Sequence, residues 1–238
     1  MKVKLLVGML SIVMALAACT NDTTSDNTQK KQNEKKKQEI KVVEEKAYKY
    51  AGGLTYSAVI KNESKKTLNV YDLKINYINK RDKLEQNNVP ASVRVAPYIL
   101  KPGEKAYVSA EGAIDISNFK NYDVKMTVPD VKPANDVMKL VVDKNSVKND
   151  KDIQDDETIT HITGTVTNST KKSVQYIMIG AGMYGKNHEF IGTTFDDLQE
   201  DLKPGESTSF DSYSAQIPKK ELDKVKTYKV SASTYFEK

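Results

Sequence analysis

Three kinds of side chain in this sequence have the types that chemistry needs: one cysteine, two histidines and several clustered carboxylates. A hydrolase of the Ser/His/Asp kind requires a histidine as general base. His161 falls near the start of a strand and His188 in the hairpin loop Gly185-Lys186-Asn187-His188-Glu189, so both read as surface histidines. Zinc asks for three or four converging His, Cys or carboxylate ligands, which two dispersed histidines do not supply. The carboxylates gather as Asp150, Asp152, Asp155, Asp156 and Glu157, and again as Asp196, Asp197, Glu200 and Asp201. Calcium takes six to eight oxygens from such loops, yet neither run has the spacing and glycine of an EF-hand, and both read as solvated loops. Gly180-Ala181-Gly182 lies inside a strand run, where glycine marks a bulge or a close backbone approach rather than a phosphate cradle. The reading is of a protein with no catalytic residue, no metal and no cofactor.

Cys19 is different, because of what precedes it. Met-Lys-Val-Lys gives a positive start, and Leu5 to Ala18 is apolar apart from Gly8 and Ser11, the pattern of a signal peptide. A spanning helix needs about 20 apolar residues, and this run ends sooner, at Cys19 and the polar Thr-Asn-Asp-Thr-Thr-Ser-Asp. Leu16-Ala17-Ala18-Cys19 resembles the lipobox of bacterial lipoproteins. The resemblance implies cleavage between Ala18 and Cys19, a diacylglyceryl group on the Cys19 sulfur, and a place on the extracytoplasmic face of the cell membrane. Two acyl chains hold a protein there stably, whereas one does so only marginally. Lipoprotein signal fragments also act as peptide pheromones in some Gram-positive bacteria, and Ile12 to Ala18 has that general character.

A chain with one cysteine forms no internal disulfide, so its stability must come from packed cores. Loss of Lys2 and Lys4 with the signal lowers the formal charge from +5 to +3, and the 37 basic residues are interleaved with 32 acidic ones. Nucleic-acid binders concentrate their basic residues, so nucleic acid is excluded as a partner. Residues 20–39 are almost devoid of apolar side chains and read as a disordered tether.

The rest of the chain repeats itself. Ala58-Val59-Ile60-Lys61-Asn62-Glu63-Ser64-Lys65-Lys66-Thr67-Leu68 aligns with Gly164-Thr165-Val166-Thr167-Asn168-Ser169-Thr170-Lys171-Lys172-Ser173-Val174 at an offset of 106. Leu100-Lys101-Pro102-Gly103-Glu104 matches Leu202-Lys203-Pro204-Gly205-Glu206 at 102, and Tyr122-Asp123-Val124 matches Tyr228-Lys229-Val230 at 106. Period-two alternation at Leu73, Ile75 and Tyr77, at Ile179, Ala181 and Met183, and along Tyr122 to Val128 marks strands with one buried face. Each Lys-Pro-Gly-Glu fits a type II turn. Ile40 to Val43 and Leu140 to Val142 read as equivalent first strands, Lys219 to Lys226 as a short helix, and residues 144–157 as a polar loop. Of the thirteen tyrosines, Tyr77, Tyr122 and Tyr228 fall on apolar faces, while Tyr98 and Tyr184 are candidates for exposed recognition residues.

Residues 158–214 resemble the FxLYD-type domain of Gram-positive lipoproteins, through Gly164-Thr165-Val166-Thr167-Asn168, Gly182-Met183-Tyr184-Gly185-Lys186 with Ile191-Gly192, and Leu202-Lys203-Pro204-Gly205-Glu206 before Phe210. The resemblance implies immunoglobulin-like modules. The expectation is therefore an all-β protein: a signal peptide (1–18), a lipidated Cys19 and tether (19–39), and two tandem immunoglobulin-like antiparallel β-sandwich domains (40–131 and 137–238) joined by a linker (132–136). It would serve as a non-catalytic binding or structural module of the envelope. Its partners would be the membrane, through the Cys19 lipid, and an envelope protein, cell-wall polymer or host protein. The alternative is an inhibitor or immunity-type protein acting through the exposed loop at 144–157.

Overall fold

The alternating runs become strands, all paired antiparallel. The computed structural model describes residues 39–50, 53–79, 88–112, 122–128, 138–143, 148–154, 157–214 and 216–234. Cys19, residues 1–38 and the expected linker at 132–136 lie outside them. In the first half the strands are β1 (Ile40–Tyr50), β2 (Gly53–Asn62), β3 (Leu68–Asn69), β4 (Lys74–Asn79), β5 (Asn88–Pro90), β6 (Ser92–Ala96), β7 (Ile99–Leu100), β8 (Lys105–Gly112) and β9 (Tyr122–Thr127). The second half holds β10 (Lys139–Val142), β11 (Lys148–Gln154), β12 (Glu157–Thr167), β13 (Ile177–Tyr184), β14 (Phe190–Leu198), β15 (Ser207–Ser214), α1 (Lys219–Leu222) and β16 (Thr227–Thr234). The described part of the chain is all-β, and the short helix expected over Lys219 to Lys226 is a single turn, Lys219–Leu222, with Leu222 and Val225 buried.

The first half makes a sheet in the order β1-β2-β8-β6, with β5-β4-β9 and the small pair β3-β7 as separate ladders. Tyr56, Ala58, Ile60, Ile75, Tyr77, Leu100 and Val108 meet between them in one core. The second half differs from a two-sheet sandwich: its ladder runs β10-β16-β13-β14-β15-β12 and closes, because β10 also pairs with β12. The seams that close it are narrow. Phe195↔Tyr213 is the pairing recorded between β14 and β15, and β10 gives Lys139 and Leu140 to β16 but Val141 and Val142 to β12. A strand that divides its hydrogen bonds in this way satisfies two sheet edges at once. Ile162, Ile177, Ile179, Met183, Ile191 and Phe210 fill the interior.

The repeated words of the sequence are repeated structure. Ile60 faces Ala106 as Val166 faces Thr208, and Val42 faces Ile60 as Val142 faces Val166, which makes the two first strands equivalent. On the opposite sheet the register moves: Tyr77 faces Val124, but its counterpart Met183 faces Tyr228 rather than Val230. That is a shift of two, so every side chain keeps its face.

Two expectations need correction. Within the polar stretch 144–157, β11 pairs with β12 from Lys148↔Thr163 to Gln154↔Glu157, forming a hairpin arm rather than a loop. Lys148-Asn149-Asp150-Lys151-Asp152 lacks apolar alternation because β11 is an edge strand, where charge is the ordinary protection against further pairing. Glu39, assigned to the tether, belongs to the fold: its carbonyl accepts from Glu63 N–H at 2.9 Å, and its carboxylate lies 3.0 Å from Lys66 Nζ.

Candidate functional site

Two repeated blocks, far apart in sequence, turn out to bind each other. Asn62 and Asn168 are fully buried. Asn168 Nδ2 donates to the carbonyls of Lys172 and Leu202, each at 2.8 Å, while its Oδ1 accepts from Thr170 N–H and Thr170 Oγ1. Asn62 does the same with Lys66, Leu100 and Ser64. The backbone of each Asn closes the turn as well: Gly205 N–H donates to the Asn168 carbonyl and Gly103 N–H to that of Asn62, both at 2.8 Å. Gly103 and Gly205 sit at φ 81° and 83°, a conformation glycine adopts without penalty. These turns are structural clamps.

One crevice among the described residues lies between the halves. β2 is buried along almost its whole length, one face on its own core and the other, with Thr55, Ser57 and Val59, against the second half. On β13, Ile177, Ile179, Ala181 and Met183 point into the second core, leaving Met178, Gly180, Gly182 and Tyr184 for the first half. A Cβ on Gly180 would stand 2.7 Å from Ala96 Cβ, and one on Gly182 would stand 2.5 Å from the Tyr107 ring. The close approach read from Gly180-Ala181-Gly182 is thus the contact of one half with the other. Val59 packs with Tyr184 and Phe190, and Ala96 with Met178 and Phe195, with Tyr107 touching both groups.

Polar bonds continue this seam. Tyr48 Oη donates to the Ile191 carbonyl at 2.7 Å, and Lys46 pairs with Glu189 at 3.1 Å. Thr193 Oγ1 lies 3.1 Å from Ser57 Oγ and 3.2 Å from the Val108 carbonyl. Burial pushes the Tyr107 phenol up to about 12, helped by the Glu44 carboxylate and opposed by a hydrogen bond with Tyr184. Burial raises Tyr184 also, with Tyr107 and Glu44 adding to it. Tyr98 and Tyr184, candidates for exposure, are 2% and 3% exposed, because Tyr98 belongs to the first core and Tyr184 to the contact between halves.

Beyond Ser57 and Thr193 the two halves diverge and leave a crevice of about 160 Å³. Thr55, Ser57, Ser92, Arg94, Ser109 and Glu111 line it from the first half, and Thr193, Phe195, Tyr213, Ser214 and Ile217 from the second. Register explains the first wall: Ser57 and Arg94 both stand opposite Ser109, and Thr55 and Ser92 both stand opposite Glu111, so the six share one sheet face. Near the rim, burial raises the Asp197 carboxyl while Arg94 draws it down.

The chemistry-bearing residues expected from sequence lie elsewhere. His161, in β12, places Nδ1 2.8 Å from Asp211 Oδ1 on the surface. His188 stands exposed in the turn after β13. Asp196 and Asp197 lie just before the end of β14. Burial raises Asp196, opposed by the backbone N–H groups of Asp211 and Asp197. Asp155 and Asp156 lie outside the described residues, as do Ala18 and Cys19. Among the described residues no group of three His, Cys, Asp or Glu side chains is arranged to hold a metal, and no helix is long and apolar enough to cross a membrane.

The crevice residues were absent from the sequence reading because a polar strand face toward a second half has the same alternation as one toward water. Only the paired glycines hinted at the contact. No family model matches the chain, and no curated protein matches it.

Proposed function

We propose that this chain is a membrane-anchored, extracytoplasmic lipoprotein whose folded part acts as a non-catalytic binding or structural module of the cell envelope. One observation carries the reading: Leu16-Ala17-Ala18-Cys19 ends an apolar run too short to span a bilayer and opens onto a polar stretch. Each half is read as an immunoglobulin-like module of the FxLYD type. The words shared with that family are the buried-Asn clamp and the Pro-Gly turn, and the narrow seams of the second half are compatible with two facing sheets joined at their corners. Its partner is an envelope protein, a cell-wall polymer or a host molecule.

Growth with a radioactive fatty acid tests the anchor. Label should enter the wild-type protein and be lost in Cys19→Ala, which should also leave the membrane fraction. Label persisting in that variant overturns the anchoring.

A further inference from the structure

We propose that the crevice between the two halves binds a neutral, polyhydroxylated ligand of one-ring size: a single pyranose residue. The proposal rests on the binding-module reading and names its ligand class, but it does not depend on the lipid.

Hydroxyls dominate the lining. Thr55, Ser57, Ser92, Ser109 and Thr193 all line it, with Ser57 and Thr193 bonded to each other. A hydroxyl both donates and accepts, as does every hydroxyl of a sugar, whereas a carboxylate only accepts and an ammonium only donates. The rim carries charges of both signs: Arg94 supplies a planar set of donors, Glu111 supplies acceptors, and Asp197 faces Arg94. A ligand of either net charge would meet one of them unfavourably.

Tyr213 and Phe195 provide aromatic surface for the C–H face of a ring. Size sets the limit: about 160 Å³ is the space of about five waters at roughly 30 Å³ each, well below the sites of drug-sized molecules. The closed end of the seam, at Val59, Tyr107 and Ala96, prevents the ligand from passing deeper.

The test uses the full-length chain in detergent micelles, titrated calorimetrically with glucose and N-acetylglucosamine as neutral probes, glucuronate as the anion, glucosamine as the cation and serine as the zwitterion. A neutral sugar should bind in the millimolar range, and each charged or zwitterionic probe at least tenfold more weakly. Arg94→Met and Ser109→Val should each weaken the neutral sugar about tenfold, with circular dichroism and the melting temperature confirming that both variants fold. The proposal is overturned if no neutral sugar binds at tens of millimolar, if a charged probe or serine binds better, or if both folded variants bind sugar like the wild type. A chain that binds sugar but takes up no fatty acid would overturn the anchoring and leave the crevice standing, while labelling without sugar binding would do the reverse.

Discussion

At the scale of single residues, burial decides what the side chains can do. Tyr107 is held between the halves, and its phenol is pushed from the ordinary 10.0 to about 12. A folded-state value above the unfolded one means that folding favours the protonated form. The stabilisation is complete below pH 10 and disappears as pH rises through about 12. Ultraviolet titration of tyrosinate should therefore show a late-ionising group near 12 that is absent from Tyr107→Phe, and the alkaline loss of stability should be smaller in that variant. A titration with no late component ending near 12 would contradict the assignment. Residue-level reading of the sequence succeeded where one face decided burial, as at Ile75, Tyr77, Ile179 and Ala181. It failed at Tyr184, because alternation reports that a side chain points away from its own core and not that another core lies opposite.

At the scale of elements, the buried Asn clamps join a loop to a turn 34 to 38 positions away. Both partners were visible as repeated words, but their contact was not, since hydrogen bonds between distant loops leave no period in a sequence. Removing the Asn168 side chain takes four hydrogen bonds at once: the Leu202 carbonyl keeps Val174 N–H and the Lys172 carbonyl keeps Thr170 Oγ1, but Thr170 N–H loses its acceptor. An unsatisfied buried group costs about 1–3 kcal/mol, so Asn168→Ala should cost about 2–4 kcal/mol. For a chain of this size that lowers the melting temperature by about 5–15 °C, as read by scanning calorimetry. Lys171→Ala, on an exposed side chain of the same loop, should leave it unchanged. Equal effects from the two variants would remove the clamp from the account. The hairpin arm of β11 shows the converse limit. Its strand character comes from backbone pairing at a sheet edge, and a sequence of Lys, Asn and Asp does not announce that.

At the scale of the whole molecule, the two halves share no backbone pairing among the described residues, yet they share a surface buried on both sides. Independent tandem units would melt separately, whereas units that shield each other's apolar side chains should unfold together. The wild type is expected to give one calorimetric transition. Gly182→Ala forces a methyl against the Tyr107 ring, a strain of about 1–3 kcal/mol placed on the seam rather than on either core. It should split the transition in two, and a wild type that already melts in two steps would show that the seam couples nothing. The tandem repeat was plain from the sequence, but the docking of its copies was not, because Gly180 and Gly182 were its only trace.

The closing strand β10 also sets an order of events in time. Met138 N–H donates to Thr234 Oγ1, 96 positions further on, and β16, the last of the described strands, is the one that β10 must find. Pairings of such long range are slow, because the intervening chain must be brought together before the contact gives anything back. Until β16 arrives, the free edges of β10 and β13 are open to strands of other chains. The four-residue length of β10 and the exposed Lys139 within it keep that edge a poor template during the wait.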